Sequence, residues 1–459
     1  MKKLLLIIFM FTLCTMLFGI TINVPVDYDT IQAAINASSN GDVVLVQPGT
    51  YTENIDFNGH SVTVASLYYT TQDETYIEST IINGGHSNSC VKFHSAEGND
   101  SVITGFTLTN GYSYYGAGIY CYSTSPTISN MIIDDNDGHS GDSYGGGMSL
   151  LSGSSPIVSN VIISNNYAEA GGGIHCHDDG DGIFSNITVF GNNANHGGGI
   201  LTNYSTPTFE RALIYNNDAS FGAGIYVFNY SYPEFSNATI VNNDATYGGG
   251  FYLGSLYSQP VINNSIVYAN ACSYDLQIFV NSSIHLPTVT FTDIQDTDTE
   301  SWLGEGCIDA DPAFVNPESN DYHLSSSSPC INAGDPNSPL DPDGTVTEMG
   351  VFMFTDSGFG NVSGIVSNAE NGNPIEGAEV NVGNNETQTN ENGSYIFENL
   401  YAGQNTINIS AEEYLPITGS IEIIEGQTAE EDFALEPNYV ASNTFFYELE
   451  DSPEQQEYP

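Results

Sequence analysis

The feature that most restricts the fold of this sequence is a short glycine-containing phrase that occurs six times between Gly116 and Phe251. The phrase starts at Gly116, Gly145, Gly171, Gly197, Gly222 and Gly248, and each copy ends three residues later on an apolar residue. These apolar residues are separated by 29, 26, 26, 25 and 26 positions. A period of this length indicates a solenoid, a propeller or a repeat array.

Two further phrases keep the same period. One ends at Asn130, Asn160, Asn186, Arg211, Asn237 and Asn264. The other, an apolar pair running into asparagine, ends at Asn136, Asn165, Asn192, Asn216, Asn242 and Asn270. Each period thus holds three short strands and three turns, without a helix-length pattern, which favours a parallel β-helix with one coil per period. Coils stack at ~4.8 Å, so equivalent positions form ladders, with apolar residues inside and Gly or Asn in the turns.

The charge distribution excludes several classes of partner. The sequence has 56 acidic and 4 basic residues, and an apolar run from Leu4 to Phe18 after Lys2 and Lys3 predicts a signal peptide over residues 1–19. Its removal leaves Lys92 and Arg211 as the basic residues. Such a surface disfavours nucleic acid, anionic lipid and polyanionic sugars. No later segment predicts a membrane span. We therefore expect a secreted or cell-surface protein whose partner is an extracellular glycan or a cell-surface component.

The cysteine positions favour free thiols in the β-helix. Cys121 and Cys176 occupy the same ladder two coils apart, or ~9.6 Å, which is beyond the reach of a disulfide. Both are predicted to be free thiols in the core. A disulfide between Cys307 and Cys330 is compatible with the sequence but is not required by it.

The start of the chain predicts a cap for the solenoid. Residues 29–35 predict a short helix with Asp29 as N-cap and with Ile31 and Ile35 on one face. The run from Asp27 to Ile35, followed by residues 41–44 and 48–55, resembles the N-terminal segment of right-handed parallel β-helix proteins of the pectin lyase-like superfamily. The resemblance implies the fold but no activity, because that superfamily includes lyases, hydrolases, esterases and non-catalytic surface proteins.

The rest of the chain predicts two further parts. Residues 301–357 lack the repeat, and their phrases at 308–314, 321–324 and 328–334 resemble a closing segment that seals the last coil. Residues 358–437 alternate as short strands, and Gly364, Pro374, Tyr395, Phe397 and Tyr414 are among the positions that resemble a carboxypeptidase regulatory-like domain. That resemblance implies a transthyretin-like fold without catalysis.

The predicted fold class is therefore all-β. It consists of a right-handed parallel β-helix solenoid over residues 20–300 with a short N-terminal capping helix, the closing segment 301–357, and a small transthyretin-like or Ig-like β-sandwich over residues 358–437. Residues 438–459 form an acidic tail.

Residues suited to catalysis are few. A lyase needs a base, but Arg211 lies on an asparagine ladder and Lys92 lies in a strand, so turn and surface roles explain both. A glycoside hydrolase needs two carboxylates about 5 to 9.5 Å apart. Asp135 and Asp178, in the clusters 134–137 and 178–181, are weak candidates for such a pair. Ordinary turns and calcium binding are the alternatives.

Two patterns resemble metal sites. Asp335, Asp341 and Asp343, followed by Gly344 and Glu348, are oxygen-rich like calcium loops, although their spacing departs from the EF-hand pattern. Calcium is therefore the one cofactor considered, and a plain Asp/Pro turn is the alternative. The triplet from His175 to His177 does not predict zinc, because strand alternation places its central cysteine on the opposite face.

One ladder predicts a binding surface. The residues after each glycine phrase are Tyr120, Ser149, His175, Leu201, Tyr226 and Tyr252, flanked by Tyr122 and Phe228. Aromatic rings in a row can hold neutral sugars, so Tyr120, His175, Tyr226, Phe228 and Tyr252 are predicted glycan-binding residues. The alternative is that tyrosine simply suits strand surfaces.

These observations favour a β-helix protein with a structural, adhesive or glycan-binding role and without catalysis. The alternative is a secreted carbohydrate-active enzyme, of the glycoside hydrolase or polysaccharide lyase type, that acts on neutral or weakly charged glycans.

Overall fold

The computed structural model describes residues 19–438, apart from residues 140, 256, 274–276, 282–284, 296–299, 342–343, 355–358, 384 and 425. The apolar run of the predicted signal peptide and nearly all of the predicted acidic tail lie outside these residues. The chain divides into two compact units, one up to residue 354 and one from residue 355 onward.

The first unit is a parallel β-helix of about 10 turns, as the repeat predicts. Its strands pair in parallel with the equivalent strands of the next coil, so that Val158 pairs with Phe184 and Ile163 with Val189. We divide the strands into sheets 1, 2 and 3.

Sheet 1 contains Thr21–Val24, Val43–Val46, Thr63–Ser66, Val102–Thr104, the first halves of Thr127–Asp134, Ile157–Ser164, Ile183–Phe190 and Thr208–Tyr215, and then Glu234–Ser236, Val261–Asn263 and Thr288–Thr290. Sheet 2 contains Gly49–Thr52, Thr80–Asn83, Thr107–Thr109, the second halves of the same four long strands, Thr239–Val241, Ile266–Tyr268 and Asp293–Ile294. Sheet 3 contains Ile55–Asp56, Val91–Phe93, Ile119–Tyr122, Met148–Leu151, Ile174–His177, Ile200–Asn203, Ile225–Phe228, Phe251–Leu253 and Ile278–Val280.

Sheets 1 and 2 meet at a corner where the backbone is left-handed. The corner residues, with φ between 49° and 56°, are Asn130, Asn160, Asn186, Arg211, Asn237 and Asn264. Asparagine tolerates this conformation better than most residues because its short polar side chain bonds locally. The ladder predicted from the sequence is therefore confirmed, and Arg211 is its one substitution.

A ladder of buried asparagines runs through the solenoid beside sheet 2. It consists of Asn136, Asn166, Asn192, Asn217, Asn243 and Asn270, none more than 5% exposed. The first five donate through Nδ2 to the Oδ1 atom of the next asparagine at 2.8–3.0 Å, and Asn270 Nδ2 donates to Gln277 Oε1 at 2.8 Å. The sequence pattern misplaced half of this ladder, because Asn165, Asn216 and Asn242 lie one position earlier, at left-handed turn residues.

The glycine phrase gives this ladder the space it needs. Gly171, the first residue of one copy, has φ +65°, which L side chains rarely adopt. Gly173 packs so closely that an added Cβ would lie 2.6 Å from the carbonyl oxygen of Gly199 and 3.2 Å from the Nδ2 atom of Asn192. The phrase therefore recurs because both the turn and the close packing recur.

Three short α-helices, Ile31–Ala37, Tyr68–Thr71 and Thr75–Ser79, and one 3-10 helix, Pro317–Ser319, are described. The first buries Ile31 and Ile35 at the N-terminal end of the core. Its N-cap is Thr30, not Asp29 as predicted, because Thr30 Oγ1 accepts a hydrogen bond from the Ala33 N–H at 3.1 Å. No helix in the described part of the chain is long and apolar enough to cross a bilayer.

The segment after the last complete coil has two roles. Trp302 belongs to the β-helix core and is 8% exposed, while Leu303 pairs with Val289, so this part closes the final coil. The hairpin Phe314–Asn316 and Asp321–Leu324 then places Tyr322 against Leu213 and Val241 of sheet 2. The segment thus also covers part of the outer face of sheet 2, which the sequence did not predict.

Cys90, Cys121, Cys176, Cys307 and Cys330 form no disulfide bond. Cys121 and Cys176 are fully buried in the core, which confirms their prediction as free thiols. Cys307 and Cys330, left open as a pair by the sequence, do not bond to each other. The Cys330 thiol instead donates to Asp293 Oδ2 at 3.3 Å.

The second unit is a small β-sandwich, as predicted. One sheet contains Phe359–Asn368, Ser394–Tyr401, Thr428–Glu430 and Phe433–Leu435, and the other contains Glu379–Val382, Asn385–Gln388, Gly403–Ser410 and Ile417–Ile423. Val362, Val380, Ile407 and Ile421 lie in the core between them.

Candidate functional site

A fourth layer of strands covers part of the outer face of sheet 3. This sheet 4 contains Asn193–His196, Asp218–Phe221, Asp244–Tyr247 and Ala271–Cys272. Its rings pack inward onto sheet 3: His196 stacks on Tyr226 with ring centroids 5.6 Å apart, and Phe221 meets the edge of Tyr252 at 5.3 Å. Sheet 4 is therefore held in place by an aromatic layer outside the main core.

This covering corrects the predicted aromatic binding surface. Tyr226 and Tyr252 are each only 8% exposed, and His175 is 2% exposed. Burial raises the pKa of Tyr226 to about 12 and lowers the pKa of His175 to about 3. The prediction that these three rings are free to bind a glycan is therefore wrong. Tyr120 and Phe228 are only partly buried, and they contact other rings.

The outer face of sheet 4 forms an open, polar groove of about 500 Å³. Two rows of side chains repeat along it from coil to coil. One row contains Asn193, Asp218 and Asp244, and the other contains Asn195, Ser220, Thr246 and Ser273. Between the rows, Ala194, Ala219 and Ala245 lie at the floor. Because side chains alternate along a strand, these alanines point inward like His196, and the strand backbone lies between the polar rows.

Hydrogen bonds order the side chains at one end of this sheet 4 groove. Asn195 Nδ2 donates to Glu169 Oε1 at 2.8 Å, and Ser220 Oγ donates to Asn195 Oδ1 at 2.9 Å. In the other row, Asn193 Nδ2 donates to Asp218 Oδ1 at 2.8 Å. Groups ordered before binding lose less conformational entropy when a ligand arrives.

The charge of the groove is acidic. Glu169, Asp218 and Asp244 line it, and no described lining residue is lysine or arginine. Tyr167, which is 44% exposed, also lines the groove and offers an aromatic ring. The groove thus combines carboxylates, amides and hydroxyls with one exposed ring.

Sequence reasoning missed this groove although a signal was present. Residues 193–196, 218–221 and 244–247 read Asn-Ala-Asn-His, Asp-Ala-Ser-Phe and Asp-Ala-Thr-Tyr. This is a fourth phrase with the same period, in which a polar residue flanks an alanine on each side and an aromatic residue follows. This fourth phrase was overlooked because the other three repeats are more regular.

The structure does not bring the candidate catalytic carboxylates together. Asp135 is an exposed left-handed residue in the turn after sheet 2, whereas Asp178 is an exposed left-handed residue in the turn after sheet 3. Asp178 Oδ2 accepts a hydrogen bond from Ser152 Oγ at 3.2 Å. The two residues occupy different corners of the coil, so the prediction that they form a pair is wrong. Each fits a turn role.

The predicted calcium ligands differ in burial and in hydrogen-bond partners. Asp335 is partly buried, and its Oδ1 accepts hydrogen bonds from the Asn337 N–H and Nδ2 within a turn. Asp341 is buried beside Glu348. Asp343 lies outside the described residues. No group of three or more His, Cys, Asp or Glu side chains suited to a metal occurs among the described residues.

The fold and the groove define a class of protein: a parallel β-helix repeat protein with a polar surface groove and a separate β-sandwich. Residues 169–296 match the model of the right handed beta helix region, and residues 361–436 match the carboxypeptidase regulatory-like domain. The chain is therefore a right-handed parallel β-helix protein with a C-terminal carboxypeptidase regulatory-like domain, as the two resemblances implied. A comparison with curated protein sequences found no match.

Solved structures with a similar fold include three that act on polysaccharides. The pectate lyase Pel9A is 16% identical, with 71% of this chain and 91% of that chain covered and a TM-score of 0.42. A pectin methylesterase in complex with a hexasaccharide is 12% identical, with 67% and 98% covered and a TM-score of 0.32. A PL6 family polysaccharide lyase from Pseudopedobacter saltans is 11% identical, with 73% and 100% covered and a TM-score of 0.27. Likeness at this level says nothing about the ligand or reaction of this chain.

Proposed function

We propose that this protein is a secreted or cell-surface protein that binds a neutral polysaccharide along the sheet 4 groove and does not cleave it. The observation that carries the proposal is the pair of polar rows, which repeat at the coil spacing along a concave strip with no described basic lining residue. A ligand with a repeating backbone that runs along the solenoid axis would meet equivalent groups at each coil.

The side chains of the groove suit sugar hydroxyl groups. The carboxylates of Asp218 and Asp244 accept hydrogen bonds from hydroxyls, and hydrogen bonds to charged groups are stronger than those between neutral groups. Asn195, Ser220 and Thr246 can donate as well as accept. Tyr167 offers an apolar ring against which the carbon-bound hydrogens of a sugar can pack. Uronates and sulfated sugars would be repelled by the same carboxylates.

The location outside the cell is part of the proposal. It is supported by the apolar run from Leu4 to Phe18 behind two lysines, which is typical of a signal peptide. Neutral polysaccharides of matrices and cell walls are accessible to a protein in that location.

The test is a titration of the full chain with neutral oligosaccharides and with uronate oligosaccharides, together with an assay for new reducing ends and unsaturated products. We expect binding of a neutral glycan and no product. The double variant Asp218→Ala/Asp244→Ala should weaken binding about tenfold or more, because each lost charge-assisted hydrogen bond is worth about 1.5–3 kcal/mol.

The matched control is Glu234→Ala, which removes an exposed carboxylate from sheet 1, outside the groove. It should leave the affinity unchanged. Equal affinity of the double variant and the unaltered chain, or preference for uronates, would exclude the groove as the binding site. Release of product by the unaltered chain would replace the binding role by an enzymatic one.

A further inference from the structure

Two buried carboxyl groups lie side by side in the segment that follows the last coil. Glu348 is 1% exposed and Asp341 is 8% exposed. The backbone around them is tied to the β-helix, because Asn237 Nδ2 donates to the Glu348 carbonyl at 3.2 Å and the Asn264 carbonyl accepts from the Gly350 N–H at 2.8 Å. The two carboxyl groups thus lie where this segment meets the β-helix.

The carboxyl oxygens lack the partners that burial requires. Both oxygens of Glu348 and Oδ2 of Asp341 have no hydrogen-bond partner among the described residues. The Glu348 carboxyl lies beside the Asp341 carboxyl and near the Phe354 N–H. Two ionised carboxylates cannot hydrogen-bond to each other, because neither has a donor. Burial, followed by the neighbouring Asp341 carboxyl, raises the pKa of Glu348. An ionised carboxylate that is buried without a partner is strongly disfavoured.

A side-chain cation does not neutralise this pair. Among the described residues, the only ion pairs join His94 to Asp56 and His323 to Asp321. Arg211 lines the same cavity of about 650 Å³ as Asp341 but forms no ion pair with it. The remaining ways to neutralise the pair are a proton or a bound metal ion.

We propose that Asp341 and Glu348 bind a Ca²⁺ ion that fastens the closing segment to the β-helix. Calcium takes six to eight oxygen ligands in flexible geometry, and these can include carboxylates, backbone carbonyls and water. A cavity lined by Ser338, Asp341 and Thr347 reaches one member of the pair and offers space for the water ligands of an ion. The proposal is independent of glycan binding.

This site differs from the one that the sequence predicted. Glu348, not Asp335, is the partner of Asp341, since the Oδ1 atom of Asp335 is engaged with Asn337. The ion would neutralise two buried negative charges at once, so calcium and the docked closing segment should stabilise each other.

The test is calorimetric titration of the calcium-stripped full chain with Ca²⁺ and, separately, Mg²⁺, in about 0.15 M salt to screen weak binding to the acidic surface. Thermal unfolding with Ca²⁺ and with chelator accompanies it. We expect one tight Ca²⁺ per chain, weaker Mg²⁺ binding, and a Tm several degrees higher in Ca²⁺. Glu348→Gln should lose the tight site, yet be more stable in chelator than the stripped unaltered chain, because it removes one buried charge.

Glu318→Gln is the matched control, as it removes an exposed carboxylate from the same segment. It should bind calcium like the unaltered chain. If Glu348→Gln does not fold, Asp341→Asn replaces it. A Tm that is equal in Ca²⁺ and chelator, or a tight site that survives in the Glu348 or Asp341 variant, would overturn the proposal.

Discussion

The side chain of Asn217 is bonded on both sides within the β-helix: its Oδ1 accepts from Asn192 Nδ2 at 3.0 Å, and its Nδ2 donates to Asn243 Oδ1 at 2.9 Å. Its Nδ2 also reaches the carbonyl oxygens of Val189 and Tyr215 at 3.0 and 3.1 Å. The ladder therefore satisfies backbone groups of neighbouring coils in a place that water does not reach.

Replacing Asn217 by alanine should lower the free energy of unfolding by about 2–5 kcal/mol, because several buried polar groups lose their partner at about 1–3 kcal/mol each. Denaturant unfolding measures the loss. Asn193→Ala, at an exposed position of sheet 4, should change it by less than about 0.5 kcal/mol. Equal stability of the two variants would contradict a structural role for the ladder.

Tyr226→Ala should destabilise the protein, because its buried ring supports sheet 4. By analogy with other large-to-small changes, we expect a loss of about 3–5 kcal/mol in the free energy of unfolding. Tyr122→Ala is the control: it lies two residues after Tyr120 in sheet 3 and is 45% exposed. Denaturant unfolding measures the free energy of unfolding of both variants. A Tyr226→Ala variant as stable as the unaltered chain would contradict the packing described above.

Arg211→Asn should stabilise the chain. Arg211 has φ +56° on a ladder of asparagines, and the left-handed conformation costs most residues about 1–2 kcal/mol. Restoring asparagine should recover about 0.5–1 kcal/mol of that cost in an unfolding experiment. Arg211→Ala, which keeps the unfavourable conformation, should give no such gain. A gain of the same size from alanine would show that the side-chain charge, not the backbone, is responsible.

Asp293 should make stability depend on pH. It is fully buried, and burial raises its pKa to about 6 despite hydrogen bonds from the Ala310 N–H and the Cys330 thiol. The native state then holds a proton that the unfolded chain releases near pH 4, so the contribution of Asp293 to stability falls as pH rises from about 4 to about 6 and is constant above about pH 6. A shift of about two units corresponds to roughly 3 kcal/mol.

Unfolding measured across this pH range checks the expectation. Asp293→Asn should gain stability relative to the unaltered chain between about pH 4 and pH 6, with a constant difference at higher pH. Glu234→Gln, at an exposed site, should follow the unaltered chain throughout. Parallel curves for Asp293→Asn and the unaltered chain would show that Asp293 does not bind the proton.

Some of the architecture was evident from the sequence because it repeats. Each coil needs the same left-handed corners and the same closely packed glycines, so the chain reuses residues that tolerate them, such as Asn186 and Gly173. Local rules also predicted the capping helix and the alternating short strands of the β-sandwich. They failed at Thr30, where the position of the cap depended on which side-chain oxygen accepted from the Ala33 N–H.

The candidate site was harder to predict because the solvent exposure of an outward side chain depends on which other strands pack over it. Strand alternation correctly places Tyr226 and Tyr252 outside the main core, but it does not show that sheet 4 covers them. Likewise, spacing suggested that Asp335, Asp341 and Asp343 act together. The structure instead places Glu348 beside Asp341, because the chain turns back between them.

By itself, the sequence determined the solenoid, its period and its turn ladders. The same backbone conformations and close contacts recur in each coil, so the residues that permit them recur at a regular spacing. Only the tertiary structure decided which outward positions reach solvent and which carboxylates meet. The six glycine phrases specify where each coil turns, whereas the groove and the Asp341–Glu348 pair depend on how separate segments pack onto the coils. Residues that become buried or meet when distant segments pack together are not separated by a fixed number of positions.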